Sequence, residues 1–278
     1  MKNNFIFLYN SHSMSHQNKG LSRNTIDKYY TCPNVVKQTI DLISESVIIN
    51  FNLDTIIEPS AGNGAFIENI NKLAKNTVFL DIEPENPKIT KADFLEYIPS
   101  PVRSESRIHV IGNPPFGRQS SLAIKFIKHA CGFADTVAFI LPRSFKKESM
   151  RRHFPLNFHR ILEFDITSNS FIVNGEPYDV PCVFQVWEKM DILREVPKRE
   201  APIKFKFVKH DEQPDISFRR VGVNAGRADK ETDKKSPQSH YFIKLEIPVT
   251  DELISSLNKI EYKNKSDTVG PKSISKDE

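Results

Sequence analysis

The chain has 278 residues, 38% apolar and 27% charged, enough for one sizeable core or a core with a small appendage. Those proportions exclude a wholly disordered chain, and apolar runs such as "TVAFILP" fall far short of a bilayer crossing. A formal charge of +4 is too modest to signal nucleic acid by itself, and three scattered cysteines (Cys32, Cys131, Cys182) fit neither a disulfide framework nor a zinc ribbon.

Residues 1–24 are polar, rich in Asn, Ser and His, and read as a flexible arm; the "FIFLY" within them lacks the longer apolar core and cleavage site of a secretory signal. A reducing interior, cytoplasmic or nuclear, is expected, with no membrane and no metal. From Pro33, "PNVVKQTIDLISESV" has helical spacing at Val36, Ile40 and Ile43, with proline in the first turn. "LDTIIEPS" reads as a buried strand and "GNGAFIENINKLA" as a helix with Phe66, Ile70 and Leu73 inward. "NTVFLDIEP" is a second strand, "ITKADFLEY" a short third, and "RIHVIGNPPF" a fourth. "SSLAIKFIKHAC" then forms a helix and "DTVAFILPRSF" a fifth strand.

"RILEFDITSNSFIVNGEPYDVPCVFQVWEK" suggests two strands around an Asn-Gly turn. The alternation predicts an α/β fold, a doubly wound Rossmann-like sheet closed by an antiparallel hairpin. It would fill residues 25–195. Residues 196–262 form a small extension with strands at "APIKFKFVKH" and "HYFIKLEIP", a possible substrate-binding element. The tail 263–278 is expected to be disordered. Nothing in the pattern sets an oligomeric state.

In such a sheet, ligands sit beyond the carboxyl ends of the strands. The first end offers Glu58, then Gly62 and Gly64 entering a helix, where glycines permit a sharp turn and close ligand approach. Asp81 ends the second strand nineteen residues after Gly62, the spacing at which an acid meets a ribose hydroxyl pair. A nicotinamide dinucleotide fits poorly: Ile67 stands where a third glycine is usual, and Glu58 would face a pyrophosphate. A cofactor with an adenosine and a cationic tail, S-adenosylmethionine, fits better. At the third end Asp93 is placed to accept from the adenine amino group and Phe94 to cover its ring, though a capping Asp beside a core aromatic explains the pair as well.

The fourth end is "GNPPF". With "YTCPNVV", "EPSAGNGAF", "LDIEP" and "ADFL" in that order, the stretch from Tyr29 to Trp187 resembles the class I S-adenosylmethionine-dependent amino-methyltransferases with an Asn/Asp-Pro-Pro-aromatic motif, specifically the N6-adenine enzymes. The resemblance implies a seven-stranded methyltransferase sheet. It also implies that Tyr30 and Thr31 lie at the cofactor, with Thr31 holding the methionine carboxylate. Glu58, Ser60, Ala61, Gly62 and Gly64 would form the cofactor turn, Asp81 hold the ribose, and Ile82, Asp93 and Phe94 surround the adenine. Cys32 stands where many relatives have Pro.

The resemblance makes Asn113, Pro114, Pro115 and Phe116 the catalytic clamp. An exocyclic amine is a poor nucleophile because its lone pair is delocalised into the ring. Two acceptors, the Asn113 side-chain oxygen and the Pro114 carbonyl, would favour a more tetrahedral nitrogen. The prolines pre-aim that carbonyl, and Phe116 would stack on the base. A base inside a duplex cannot reach such a clamp, so the target is single-stranded or flipped out.

Phe171 is a candidate second stacking ring, or equally a core Phe. From Arg143 to Arg160 six Lys/Arg stand against one acid, so Arg143, Lys146, Lys147 and Arg151 are candidate phosphate contacts. Arg219 and Arg220 in "FRRVGVNAGRA" are candidates of the same kind, with an exposed hairpin end as the plain alternative. DNA adenine is favoured by a small margin. RNA adenine or guanine N2 remains the main rival, because fewer than a hundred residues after Trp187 leave little room for a recognition domain. A glutamine amide fits less well, lacking Tyr after the prolines. A non-catalytic nucleic-acid-binding subunit that kept the fold is the reading of another class.

Overall fold

The computed structural model describes residues 29–100, 104–198 and 201–278. The expected arm at 1–24 lies outside the described residues.

A two-residue strand, β1 (Tyr30–Thr31), precedes helix α1 (Pro33–Ser46). Cys32 is extended and Pro33 occupies the first helical position, where its missing N–H costs nothing. Val35, Val36, Thr39, Ile40 and Ile43 make the buried stripe of α1. There follow β2 (Thr55–Glu58), α2 (Ile67–Ile70), β3 (Asn76–Asp81), β4 (Thr90–Lys91), β5 (Ile108–Gly112), α3 (Ser121–Ala130), β6 (Thr136–Pro142), α4 (Glu148–Arg151), β7 (Phe158–Asp165), β8 (Phe171–Val173), β9 (Glu176–Tyr178) and β10 (Cys182–Lys189).

Seven of these strands form one sheet in the order β4-β3-β2-β5-β6-β10-β7. Only β10 runs against the rest, paired antiparallel to β6 and to β7. The expected Rossmann-like α/β fold with a terminal antiparallel hairpin is present. The central strands feed both faces. In β6, Ala138 and Ile140 join the core under α1 and α2, while Val137, Phe139 and Leu141 join the core under α3. A run of seven buried residues is therefore what a strand covered on both sides requires. Beside β2 the order reverses: β3 lies on one side and β5 on the other, which opens a crevice at their carboxyl ends.

Three local expectations need correction. The helix expected over 62–74 shrinks to α2, because Gly62 and Gly64 carry φ of +51° and +87° and turn the chain before it can coil. The third strand stops at Lys91, where Asp93 accepts a hydrogen bond from the Leu95 N–H and starts a short 3₁₀ turn. The Asn174-Gly175 turn, with φ of +52° and +83°, joins the short strands β8 and β9. They pair with β1 in a separate three-stranded sheet, while β7 and β10 form the long hairpin pair.

The C-terminal unit is an antiparallel sheet of β11 (Phe205–Val208), β12 (Ile216–Arg219), β13 (Ala228–Asp229) and β14 (His240–Leu245), in the order β11-β14-β12-β13, followed by α5 (Asp251–Leu257). The tail 263–278 is packed rather than disordered. Ile274 is buried among Ile216, Phe218 and Ile243, and the Tyr241 hydroxyl donates to its carbonyl. Val221 and Ser273 form a β-bridge. One apolar residue in a polar segment is enough when a small sheet leaves a gap for it. Among the described residues no helix is long and apolar enough to cross a membrane.

Candidate active site at the strand ends

The turn after β2 is held by its neighbour strand. Asp81, at the end of β3, accepts from the Gly62 N–H through Oδ2 (2.8 Å) and from the Glu83 N–H through Oδ1 (2.8 Å). The Ala61 N–H donates to the Leu80 carbonyl, and the Gly62 carbonyl accepts from the Glu85 N–H. Asp81 thus both shapes the turn and stays partly exposed, with lone pairs left over on its two oxygens. Ile82 beside it is 62% exposed, an apolar side chain standing free at the crevice wall. The ring of Tyr30 lies over Gly62, 3.4 Å from where a Cβ would be, and its hydroxyl donates to Glu85.

Glu58 ends β2 fully buried, with Oε2 lacking any hydrogen-bond partner among the described residues. Burial, and then the nearby Asp81 carboxylate, push its pKa up to about 8, so in the free protein it carries a proton at neutral pH. A buried acid without a partner is costly, and a cationic group arriving at the turn would let it ionise.

At the end of β5 stands Asn113. Its Nδ2 donates to the Tyr29 carbonyl (3.3 Å) and to Thr31 Oγ1 (3.2 Å). Its carbonyl accepts from the Ser60 hydroxyl (3.0 Å), tying it to the turn after β2. Its Oδ1 is buried and has no partner among the described residues. No described residue donates to the Pro114 carbonyl either. Phe116 is half-buried against the core under α1, and its carbonyl accepts from the Leu122 and Ala123 N–H groups. The crevice therefore brings together Tyr30, Thr31, Glu58, Ser60, Ala61, Gly62, Asp81 and Asn113, with Pro114, Pro115 and Phe116 following directly.

Other expected residues are not where the sequence placed them functionally. Phe94 is buried in the core under α3, packed on Phe126, His129 and Phe133, so its ring is not free to cover an adenine. Asp93 caps the following turn through Oδ1. Phe171 is fully buried, edge-on to Tyr29, and is a core ring rather than a base platform.

The basic segment is largely consumed within the protein. Lys146 pairs with Asp165 (3.0 Å), and Lys147 binds the Ser273 carbonyl (2.7 Å) and Glu278 (3.3 Å). Arg151 donates to the Lys146 carbonyl and lies 3.8 Å from Glu148. Arg219 Nε donates to the Val221 carbonyl, and Arg220 stacks over the Tyr241 ring. Arg143 differs. It follows β6, the strand next to β5; its Nε is buried without a partner, as is Arg151 Nε, but no described residue hydrogen-bonds or ion-pairs with the Arg143 guanidinium at all.

Tyr29 and Glu85 were missed. Tyr29 acts through its main chain, which no residue-type pattern reports. Glu85 follows Asp81 in a polar turn, and only the approach of Tyr30 gives it a role.

Comparison with known proteins adds little. No protein-family model matches the chain, and no curated protein matches it. Among solved structures, a candidate RNA methyltransferase from Pyrococcus horikoshii is 19% identical with a TM-score of 0.46, covering 59% of this chain and 87% of that one. A candidate class I S-adenosylmethionine-dependent methyltransferase from Listeria monocytogenes is 13% identical with a TM-score of 0.44, covering 61% of this chain and 63% of that one. An rRNA methylase from Streptococcus thermophilus is 12% identical with a TM-score of 0.37, covering 55% and 95%. At these scores the likenesses add no weight to any functional reading of this chain.

Proposed function

We propose that the protein is an S-adenosylmethionine-dependent methyltransferase acting on the exocyclic N6 of adenine in nucleic acid, DNA ahead of RNA. The observation that carries this reading is the Asn113 amide: its nitrogen is spoken for by two acceptors, while its oxygen is buried and empty. A buried acceptor left empty costs about 1–3 kcal/mol, so a donor is expected to fill it. An amine bearing two N–H groups suits that oxygen together with the free Pro114 carbonyl one residue on.

The turn fits the cofactor. Gly62 and Gly64 adopt the positive φ that bends the turn, Asp81 offers spare acceptor capacity, and Glu58 carries an orphaned oxygen suited to a cationic neighbour. S-adenosylmethionine supplies the methyl group when bound. The chain's own part is to hold the amine. Asn113 Oδ1 and the Pro114 carbonyl each accept one N–H, which draws the nitrogen lone pair out of ring conjugation. Phe116 offers a ring face for the base, and Arg143 a guanidinium for a phosphate or a base oxygen. Asn113 is neutral, so it takes no proton, and the methylated nitrogen releases one to water.

Incubation with labelled cofactor and separate pools of DNA, ribosomal RNA, messenger RNA and protein, followed by nucleoside analysis, tests this. N6-methyladenine in a nucleic-acid pool is expected. Label on guanine N2 would redirect the substrate, and no label in any pool would end the reading.

A further inference from the structure

Thr31 is expected from the resemblance to hold the methionine carboxylate. The structure engages its hydroxyl elsewhere. Oγ1 lies 3.2 Å from Asn113 Nδ2, and Thr31 itself is buried on β1. We propose that Thr31 is a positioning residue that, together with the Tyr29 carbonyl, holds the Asn113 amide in one orientation. The inference rests on the clamp reading of Asn113.

An Asn amide has two ends of nearly the same shape and opposite hydrogen-bonding character. With the oxygen toward the crevice, Asn113 accepts an N–H from the substrate amine. Turned over, it would present its own NH₂ to that amine, donor against donor, and no hydrogen bond would form. What decides between the two is the other side of the amide. There the Tyr29 carbonyl at 3.3 Å, which can only accept, stands beside Thr31 Oγ1 at 3.2 Å, a hydroxyl that accepts the second proton. Between them they accept both protons of Nδ2. The reversed amide would put its oxygen against the Tyr29 carbonyl, oxygen against oxygen.

Only one of the two acceptors is a side chain, so only Thr31 can be removed by substitution. The hydroxyl reaches Asn113 because β1 is pinned in place. Tyr30 and Thr31 pair with Ile172 and Phe171 of β8, and the Cys32 N–H donates to the Ser170 carbonyl (3.0 Å). Those are main-chain contacts that a change of side chain leaves standing. Thr31 is thus separated from the cofactor turn by function although adjacent to Tyr30, whose ring covers Gly62.

The test is Thr31→Val, which keeps shape and β-branching and removes the acceptor, beside Thr31→Ser, which keeps the hydroxyl. Initial rates on the labelled pool that the wild type modifies give kcat and the KM for each substrate. Calorimetry gives cofactor affinity. The valine variant is expected to lose about tenfold or more in kcat, since about one hydrogen bond's worth of orientation is given up. Its cofactor affinity should be unchanged, and the serine variant should stay within about threefold of wild type. A thermal melt checks folding. If the valine variant is poorly folded, Thr31→Ala set against Thr31→Ser isolates the hydroxyl, because both lack the γ-methyl.

Full kcat in the valine variant would overturn the proposal. So would weakened cofactor binding as its main defect, which would make Thr31 a cofactor contact, or equal loss in the serine variant. A wild type that modifies no pool, or an Asn113→Ala variant as active as wild type, would instead end the clamp reading and this inference with it.

Discussion

The strand-end crevice and the basic segment after β6 answer their polar groups to different degrees. Around the crevice Glu58 Oε2, Asn113 Oδ1 and Arg143 Nε are buried with no partner among the described residues; in the segment Glu148 Oε1 and Arg151 Nε are too, but both of those side chains pair through their other atoms. Along the segment, Lys146, Lys147, Arg151 and Arg160 are matched to Asp165, Glu278, Glu148 and Glu163. A folded chain ordinarily satisfies what it buries. Two buried acceptors at the ends of adjacent strands, Glu58 on β2 and Asn113 after β5, stay empty, and they are the groups that a bound ligand would satisfy. A run of lysines and arginines in a sequence is by contrast weak evidence, because acids from elsewhere in the fold can answer it.

The sharpest way to break this contrast is Asn113→Ala. It should cut methyl transfer by about 100-fold or more while cofactor affinity, read by calorimetry, stays nearly unchanged. A retained rate would mean that the empty oxygen has no occupant. Asp81→Ala comes next and should act on both sides of the contrast, since Asp81 already holds the Gly62 and Glu83 N–H groups. Weakening of cofactor binding by roughly 1–3 kcal/mol is expected, with a lower melting temperature because the turn loses its anchor. Unaltered binding would place the ribose elsewhere.

Glu58 sharpens the contrast through pH. Its folded pKa of about 8 lies above the ordinary carboxylate value, so the folded protein binds a proton that the unfolded chain has released. Its contribution to stability is therefore fully present below the unfolded pKa and fades as pH rises through about 8. Binding of a cationic cofactor should run the other way, strengthening by up to about tenfold per pH unit as the solution approaches the folded pKa from below. Glu58→Gln should flatten that dependence in a calorimetric pH series; a slope that survives would assign the proton to another group.

Smaller effects separate the two kinds of cation. Arg143→Ala should weaken binding of a single-stranded oligonucleotide several-fold, about 1 kcal/mol, and reduce its salt dependence. Lys146→Ala, which breaks a partly exposed pair with Asp165, should change stability by less than about 1 kcal/mol and leave oligonucleotide affinity alone. Equal losses in both variants would restore the basic segment as a binding face.

The parts of the site legible in the sequence were those made by neighbours in the chain. "EPSAGNGAF" and "GNPPF" carry their geometry locally, in glycines with positive φ and in fixed proline torsions. The Gly62–Asp81 spacing brings the acid to the glycine turn, where it accepts from the Gly62 N–H. Phe94 was misjudged and Phe171 left open between two readings, because a ring near a strand end looks the same in sequence whether it faces the crevice or the core. Which way it faces depends on α3 for one and on β1 for the other. The tail was misjudged because Ile274 is a single apolar residue in polar surroundings, and only the gap beside Phe218 and Ile243 gives it a place.

By itself the sequence determined the doubly wound sheet, through buried apolar runs alternating with helical spacing, and the two turns that shape the crevice. Those features arise from torsions and periodicities that a few consecutive residues impose on themselves. Tertiary structure alone decided which polar groups were left without partners. Asn113 meets Thr31 across 82 residues of chain, and Lys147 meets Ser273 across 126. Whether a donor or a charge is answered depends on what the fold carries to it, and that is a property of distance in space rather than of order along the chain.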